Sequence, residues 1–160
     1  MSSPLISKEI IKTLTEYTAN LENEVCLVLQ TGDYNKRDEL VTFLNEICSV
    51  SEKLKFSERD FKDKARSPLT FFLEIDGKLN GISFSGIPSG HEFNSLILSI
   101  LQSGGSKISL DKSIKDTIAN IDKDLKFETI ISLSCHNCPE VVQALNQFSI
   151  LNPRISNEMI

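Results

Sequence analysis

No stretch of this 160-residue chain is apolar for long enough to span a bilayer. Nor does any segment gather enough positive charge to grip a polyanion. Lysine and arginine number 17 against 22 acidic residues, a net charge of -5 and a pI near 5.1. Nucleic-acid binding needs a basic stripe that displaces counterions, and an anionic membrane surface attracts the same kind of patch, so neither is expected as a partner. The N-terminus, MSSPLISKEIIKTLTEY, has no unbroken apolar run and no small-residue cleavage site, so it does not read as a secretory signal. Also missing are a GxGxxG run and a Walker lysine loop, which leaves no nucleotide site visible in these residues. The expected compartment is the cytoplasm. Cysteine is sparse, at four residues, and in a reducing compartment four cysteines are not a stapling framework.

The remaining composition, 40% apolar and 24% charged, is that of a globular chain of one domain or two small halves sharing a core. Ile6, Ile10, Leu14, Tyr17 and Leu21 step by three or four and predict a helix. Val25 to Leu29 is a short continuous apolar run, as in a strand buried on both faces. Leu40, Phe43, Leu44 and Ile47 predict a second helix, and Leu54 to Phe56 a short strand. Leu69 to Ile75 and the stretch holding Ile82 and Phe84 flank Asp76-Gly77, a hairpin turn signal. Ser89 and Glu92 have capping-box spacing before a helix carrying Phe93, Leu96, Ile97, Ile100 and Leu101, which Gly104-Gly105 stops. This order, helix, strand, helix, three strands, helix, matches a thioredoxin-like fold. The place after its first strand, Thr31 to Asn35, holds no cysteine, so residues 1–105 are expected to be redox-silent. The pattern then restarts in residues 106–160: a helix through Leu110, Ile114, Ile118 and Ile121, a strand alternating from Leu125 to Leu133, then Cys135-His136-Asn137-Cys138 and a helix through Val141, Leu145 and Phe148. The expected fold class is therefore α/β, two fused thioredoxin-like folds with the second incomplete at its C-terminal end.

The chemistry concentrates in Cys135 and Cys138. The first turn of a helix brings residues i and i+3 within disulfide range. It also offers unpaired N–H groups and a partial positive charge that favour thiolate over thiol, and thiolate is the nucleophile of disulfide exchange. Cys135, on the loop side, is the expected attacking sulfur and Cys138 the resolving one. A protonated His136 would support the thiolate. Structural zinc usually takes two such pairs, whereas Cys26 and Cys48 are isolated on apolar segments. A metal-binding or non-catalytic interaction module is the bland alternative, and a stand-alone glutaredoxin-like disulfide oxidoreductase the enzymatic one.

Ser132 to Pro139 followed by Val141 to Asn146 strongly resembles the family of the alkyl hydroperoxide reductase flavoprotein, the F component of that system. Gly90-His91-Glu92-Phe93, Ser95-Leu96, Gly104-Gly105 and Leu151-Asn152-Pro153-Arg154 look like the same family. The resemblance implies an N-terminal domain of two fused thioredoxin-like folds with only the second holding a CxxC. It also implies a relay that takes electrons from an FAD- and NADH-binding module of the same full-length protein. The relay would then reduce a peroxiredoxin, the C component of alkyl hydroperoxide reductase. No cofactor is expected within these residues themselves. Thioredoxins resemble one another in a buried carboxylate six residues before the CxxC; here that position is Thr129. A carboxylate from the silent half is expected to replace it as proton acceptor, Glu92 first and Glu128 second. The family pattern continues past Ile160, so the second fold is read as a truncated piece, with Arg154–Ile160 an exposed, weakly held strand that invites pairing with other chains.

Overall fold

The computed structural model describes residues 4–160; the first three residues of the N-terminal segment lie outside it. The chain runs α1 (Lys8–Thr18), β1 (Val25–Gln30), α2 (Arg37–Cys48), β2 (Leu54–Arg59), β3 (Thr70–Ile75), β4 (Lys78–Ser85), α3 (Glu92–Ser103), α4 (Lys112–Ala119), β5 (Leu125–Thr129), α5 (Cys138–Leu151) and β6 (Ile155–Met159). The six strands form one sheet in the order β2-β1-β3-β4-β6-β5. Pairing is parallel for β1/β2, β4/β6 and β5/β6 and antiparallel for β1/β3 and β3/β4. The first four strands with α2 and α3 make a thioredoxin-like unit. The β5-α5-β6 unit repeats the β1-α2-β2 arrangement, a parallel pair joined by a helix.

Local chemistry sets most of the boundaries. The β3–β4 hairpin turns on two residues, Asp76 and Gly77, both at positive φ (46° and 87°), the backbone that a two-residue turn matching strand twist requires. α3 stops in a Schellman arrangement: the Ser106 N–H donates to the Leu101 carbonyl (2.9 Å) and the Gly105 N–H to that of Gln102 (3.3 Å). The loop between β2 and β3 holds only a single 3-10 turn, Lys62–Lys64, and lays Phe61 on Phe72 at a centroid distance of 4.3 Å. One face of the sheet, through Leu27, Leu29, Phe71, Leu73, Ile82, Phe84 and Met159, meets Leu14, Leu40, Leu44, Leu96, Ile100 and Val142 from the helices in a single core. Both halves of the chain contribute to that core.

Three expectations fail. Ser89 does not form a capping box with Glu92: its own N–H bonds the Ile87 carbonyl, the Glu92 N–H bonds the Ser89 carbonyl, and α3 begins at Glu92 itself with the carboxylate turned inward. Arg154–Ile160 is not an exposed strand. β6 lies between β4 and β5, and Ile155, Asn157, Glu158 and Met159 are buried. Two of its polar residues reach the interior with partners in hand. Asn157 accepts from the Thr129 hydroxyl (2.8 Å) and donates to Asn146 (2.9 Å). On the other face Glu158 takes Arg66 (2.6 Å) and the Ser85 hydroxyl (3.2 Å). Arg66 also reaches Glu128 (2.8 Å), so one guanidinium strapped over the sheet ties the loop of the first half to both strands of the second. The strand predicted to run to Leu133 ends at Thr129, where the chain leaves the sheet toward the cysteines.

Candidate active site at the start of helix α5

Leaving β5, the chain bends so that the Cys135 N–H donates to the Ser132 carbonyl (2.9 Å), and α5 starts at Cys138. Pro139 stands at the start of the helix, where its missing N–H leaves no gap in the hydrogen-bond ladder. Cys135 and Cys138 are disulfide-bonded with Cα atoms 5.6 Å apart. The Cys138 N–H, one of the free donors of the first turn, points at the Cys135 sulfur (3.2 Å). Exposure does not separate the two cysteines, since both are half-buried. The directed N–H does, because after reduction it favours negative charge on Cys135.

The rest of the site comes from the half that lacks a CxxC, because α3 packs along α5. At the starts of the two helices His91 and His136 stand ring to ring (4.6 Å between centroids, 56° between planes), and further along Gln143 donates to the Ser95 hydroxyl (3.3 Å). Gly90 makes the close approach possible: it sits at φ 58°, and a Cβ there would lie 3.2 Å from the Leu133 carbonyl oxygen. Glu92 follows directly. It is 1% exposed, and among the described residues neither carboxylate oxygen has a hydrogen-bond partner. Sequence spacing accounts for Glu92 as a cap; its burial at the start of α3 is not visible there. Glu128, the other carboxylate considered, pairs with Arg66 on the opposite face of the sheet. Thr129 is buried in the Asn157–Asn146 chain of hydrogen bonds.

Cys26 and Cys48 are free thiols away from this site. Burial pushes the Cys48 thiol up to about 12 and, together with the nearby carboxylates of Glu74 and Glu24, holds Cys26 above the usual thiol range despite a contact with the Ser57 hydroxyl. At pH 8 a thiol near 12 is ionised in only about one molecule in 10,000. Iodoacetamide at that pH, after reduction, is therefore expected to label the CxxC within minutes and to leave Cys48 unlabelled until the chain is denatured. Peptide mass spectrometry reads both. Among the described residues no group of three or more His, Cys, Asp or Glu side chains is placed to hold a metal ion, and no helix is long and apolar enough to cross a membrane.

No family model matches the chain. The F component of alkyl hydroperoxide reductase from Staphylococcus aureus (strain MRSA252) is 40% identical over 156 residues, which is 98% of this chain and 30% of that protein. A Bacillus subtilis (strain 168) protein named NADH dehydrogenase is 36% identical over the same span and share. The chain thus covers about a third of the length of these curated relatives. Among solved structures, the NTD_N/C domain of alkyl hydroperoxide reductase AhpF from Enterococcus faecalis superposes with a TM-score of 0.86 at 31% identity, over 96% of this chain and 79% of that one. A protein disulfide oxidoreductase from Aeropyrum pernix shares the fold at a TM-score of 0.77 and 22% identity. Sequence and architecture agree, and the chain belongs to the AhpF family of alkyl hydroperoxide reductases, matching its N-terminal thioredoxin-like domain.

Proposed function

We propose that this chain is the thiol–disulfide relay of a cytoplasmic peroxide-reducing system. It carries electrons from a flavin- and NADH-dependent module to a peroxiredoxin, the C component of alkyl hydroperoxide reductase. The observation that carries the reading is the Cys135–Cys138 disulfide at the start of α5, with the Cys138 N–H aimed at the Cys135 sulfur. In the reduced site the Cys135 thiolate attacks the partner disulfide. A mixed disulfide forms, and the other partner sulfur leaves as a thiolate and takes a proton. Cys138 gives up its proton and attacks the Cys135 sulfur; the Cys135–Cys138 disulfide closes and the partner departs as a dithiol. Two electrons and two protons have moved. Glu92, buried without donors on either oxygen, is the proton acceptor for Cys138, and His136 flanks the attacking sulfur. On this reading residues 1–105 are redox-silent but not idle, since they supply Glu92, while residues 106–160 carry the dithiol.

FAD and NADH belong to the portion of the relatives that this chain does not span. The residues here offer no glycine-rich phosphate loop; the one strand-to-helix junction built for chemistry is occupied by the cysteines. No step within the chain runs through either cofactor.

Thiol counting in denaturant tests the redox pair. Dithiothreitol is expected to raise the count from two to four in the wild type, in line with one disulfide and two free cysteines. A count of four regardless of reductant or oxidant would end the relay reading. The partner is tested by adding the chain to a flavin–NADH module and the oxidised peroxiredoxin. NADH consumption that depends on peroxide and on the added chain is expected. Failure with the peroxiredoxin but success with other disulfides would favour a stand-alone disulfide oxidoreductase.

A further inference from the structure

The chain has two histidines, and they touch. They come from opposite halves, one preceding α3 and the other between the cysteines. Their rings meet 4.6 Å apart although both residues are exposed and neither is held by burial. What holds them is the backbone: Gly90 set against the Leu133 carbonyl brings the start of α3 onto the cysteine loop. His136 alone would be a solvent-swept side chain on a short loop; against His91 it has a fixed place.

We propose that His91 is a positioning residue for the thiol chemistry: set against His136, it completes an imidazole pair that takes the proton that would otherwise sit on the Cys135 sulfur when the site is reduced. The inference rests on the reading of Cys135 as the attacking sulfur. A dithiol reductant gives up two electrons and two protons and becomes a disulfide; the Cys135–Cys138 bond breaks. One proton ends on the Cys138 sulfur. The other goes to the imidazole pair instead of the Cys135 sulfur, leaving a thiolate beside an imidazolium. Imidazole changes charge near neutral pH, which suits this exchange.

The surroundings make the charge conditional on reduction. The helix starts of α3 and α5 are both positive ends and disfavour a cation. The carboxylates of Glu92 and Glu140 in their first turns oppose that effect. Lys36 and Glu39, beside Ser89 and Leu133 at the neighbouring groove, bring one charge of each sign. The new charge that appears on reduction is the Cys135 thiolate, and it tips the balance toward protonation of the pair. Cys138, protonated, adds none.

The test follows iodoacetamide labelling of Cys135 in the reduced chain as a function of pH, with each cysteine resolved by peptide mass spectrometry. His91→Phe keeps a ring against His136 and removes the proton site. Its half-point for Cys135 is expected to rise by about one pH unit, so labelling below that point slows about tenfold. His136→Phe is expected to do the same, and the double variant no more than either alone, because the pair acts as a unit. The shift is expected to persist in a Glu92→Gln background, which separates it from any displacement of Glu92. A His91→Phe profile that superimposes on the wild type overturns the proposal, as do additive shifts or a shift that vanishes with Glu92→Gln. Labelling of Cys138 ahead of Cys135 in the wild type would overturn the attacking-sulfur assignment, and the proposal with it. Normal Cys135 labelling with an unmoved profile overturns the role of His91 alone.

Discussion

Cys135→Ser is expected to abolish disulfide exchange, while Cys138→Ser leaves a single turnover that stops at a stable mixed disulfide. The asymmetry follows from the first turn of α5. The Cys138 N–H is directed at the Cys135 sulfur, so negative charge is favoured there and not on Cys138. Serine at 135 keeps the shape and removes the nucleophile. Its hydroxyl is essentially un-ionised at neutral pH, and the rate loss should exceed about a thousandfold, the scale on which loss of a committed nucleophile is felt. Serine at 138 leaves the attacking thiolate intact but removes the group that resolves the adduct. Non-reducing electrophoresis with the oxidised partner distinguishes the two: no covalent complex for Cys135→Ser, and one that dithiothreitol dissolves for Cys138→Ser. Because Cys26 and Cys48 are held as thiols by burial, they should not rescue either variant. Equal trapping by both variants would mean that the two sulfurs are interchangeable.

What was legible in the sequence was local. Helical periodicity located α2, α3 and α5; Asp76-Gly77 announced its hairpin; and a CxxC between an alternating strand and a helix announced a dithiol site. These signals arise from residues a few positions apart. β6 escaped a correct reading because the second fold was expected to be incomplete and short of sheet partners, and nothing in Ile-Ser-Asn-Glu-Met says that the first half's β4 pairs with it. Asn157 and Glu158 are tolerated inside because Thr129, Asn146, Arg66 and Ser85 meet them, and those partners lie up to 92 positions away. The same limit hid the contact between His91 and His136, while the expectation that the first half supplies Glu92 came from the resemblance and not from spacing. Gly90-His91-Glu92 and the cysteine loop are far apart in the chain, and nothing in the spacing of either says that they touch. For Glu92 the local pattern actively misled: a glutamate three residues after a serine, before an apolar run, is how a capped helix begins.

Glu92→Gln is expected to slow disulfide exchange by about ten- to a hundredfold, the usual worth of a positioned acid–base group, while Glu92→Leu is expected to slow it as much and also to stabilise the fold. The two effects share one cause. A carboxylate that is 1% exposed, with no donor from the described residues on either oxygen, lacks the protein hydrogen bonds that would offset its burial. No charged or polar partner among the described residues meets either oxygen, and leucine would fill a comparable volume without a polar atom. Removing an unpaired buried polar group is worth about 1–3 kcal/mol, which for a domain of this size is a rise in melting temperature of roughly 2–12 °C. Glutamine keeps the shape and the polarity, so its stability should change less, but it has no basic oxygen able to take the Cys138 proton. The opposition between the readouts is the test. Thermal melts of the oxidised proteins and stopped-flow exchange with a model disulfide would be measured on wild type, Glu92→Gln and Glu92→Leu. A residue kept for structure would lose stability and activity together. A proton acceptor kept at a cost to stability would lose activity in both variants and gain stability in the leucine one, and the slowing should fade as pH rises and Cys138 loses its proton unaided.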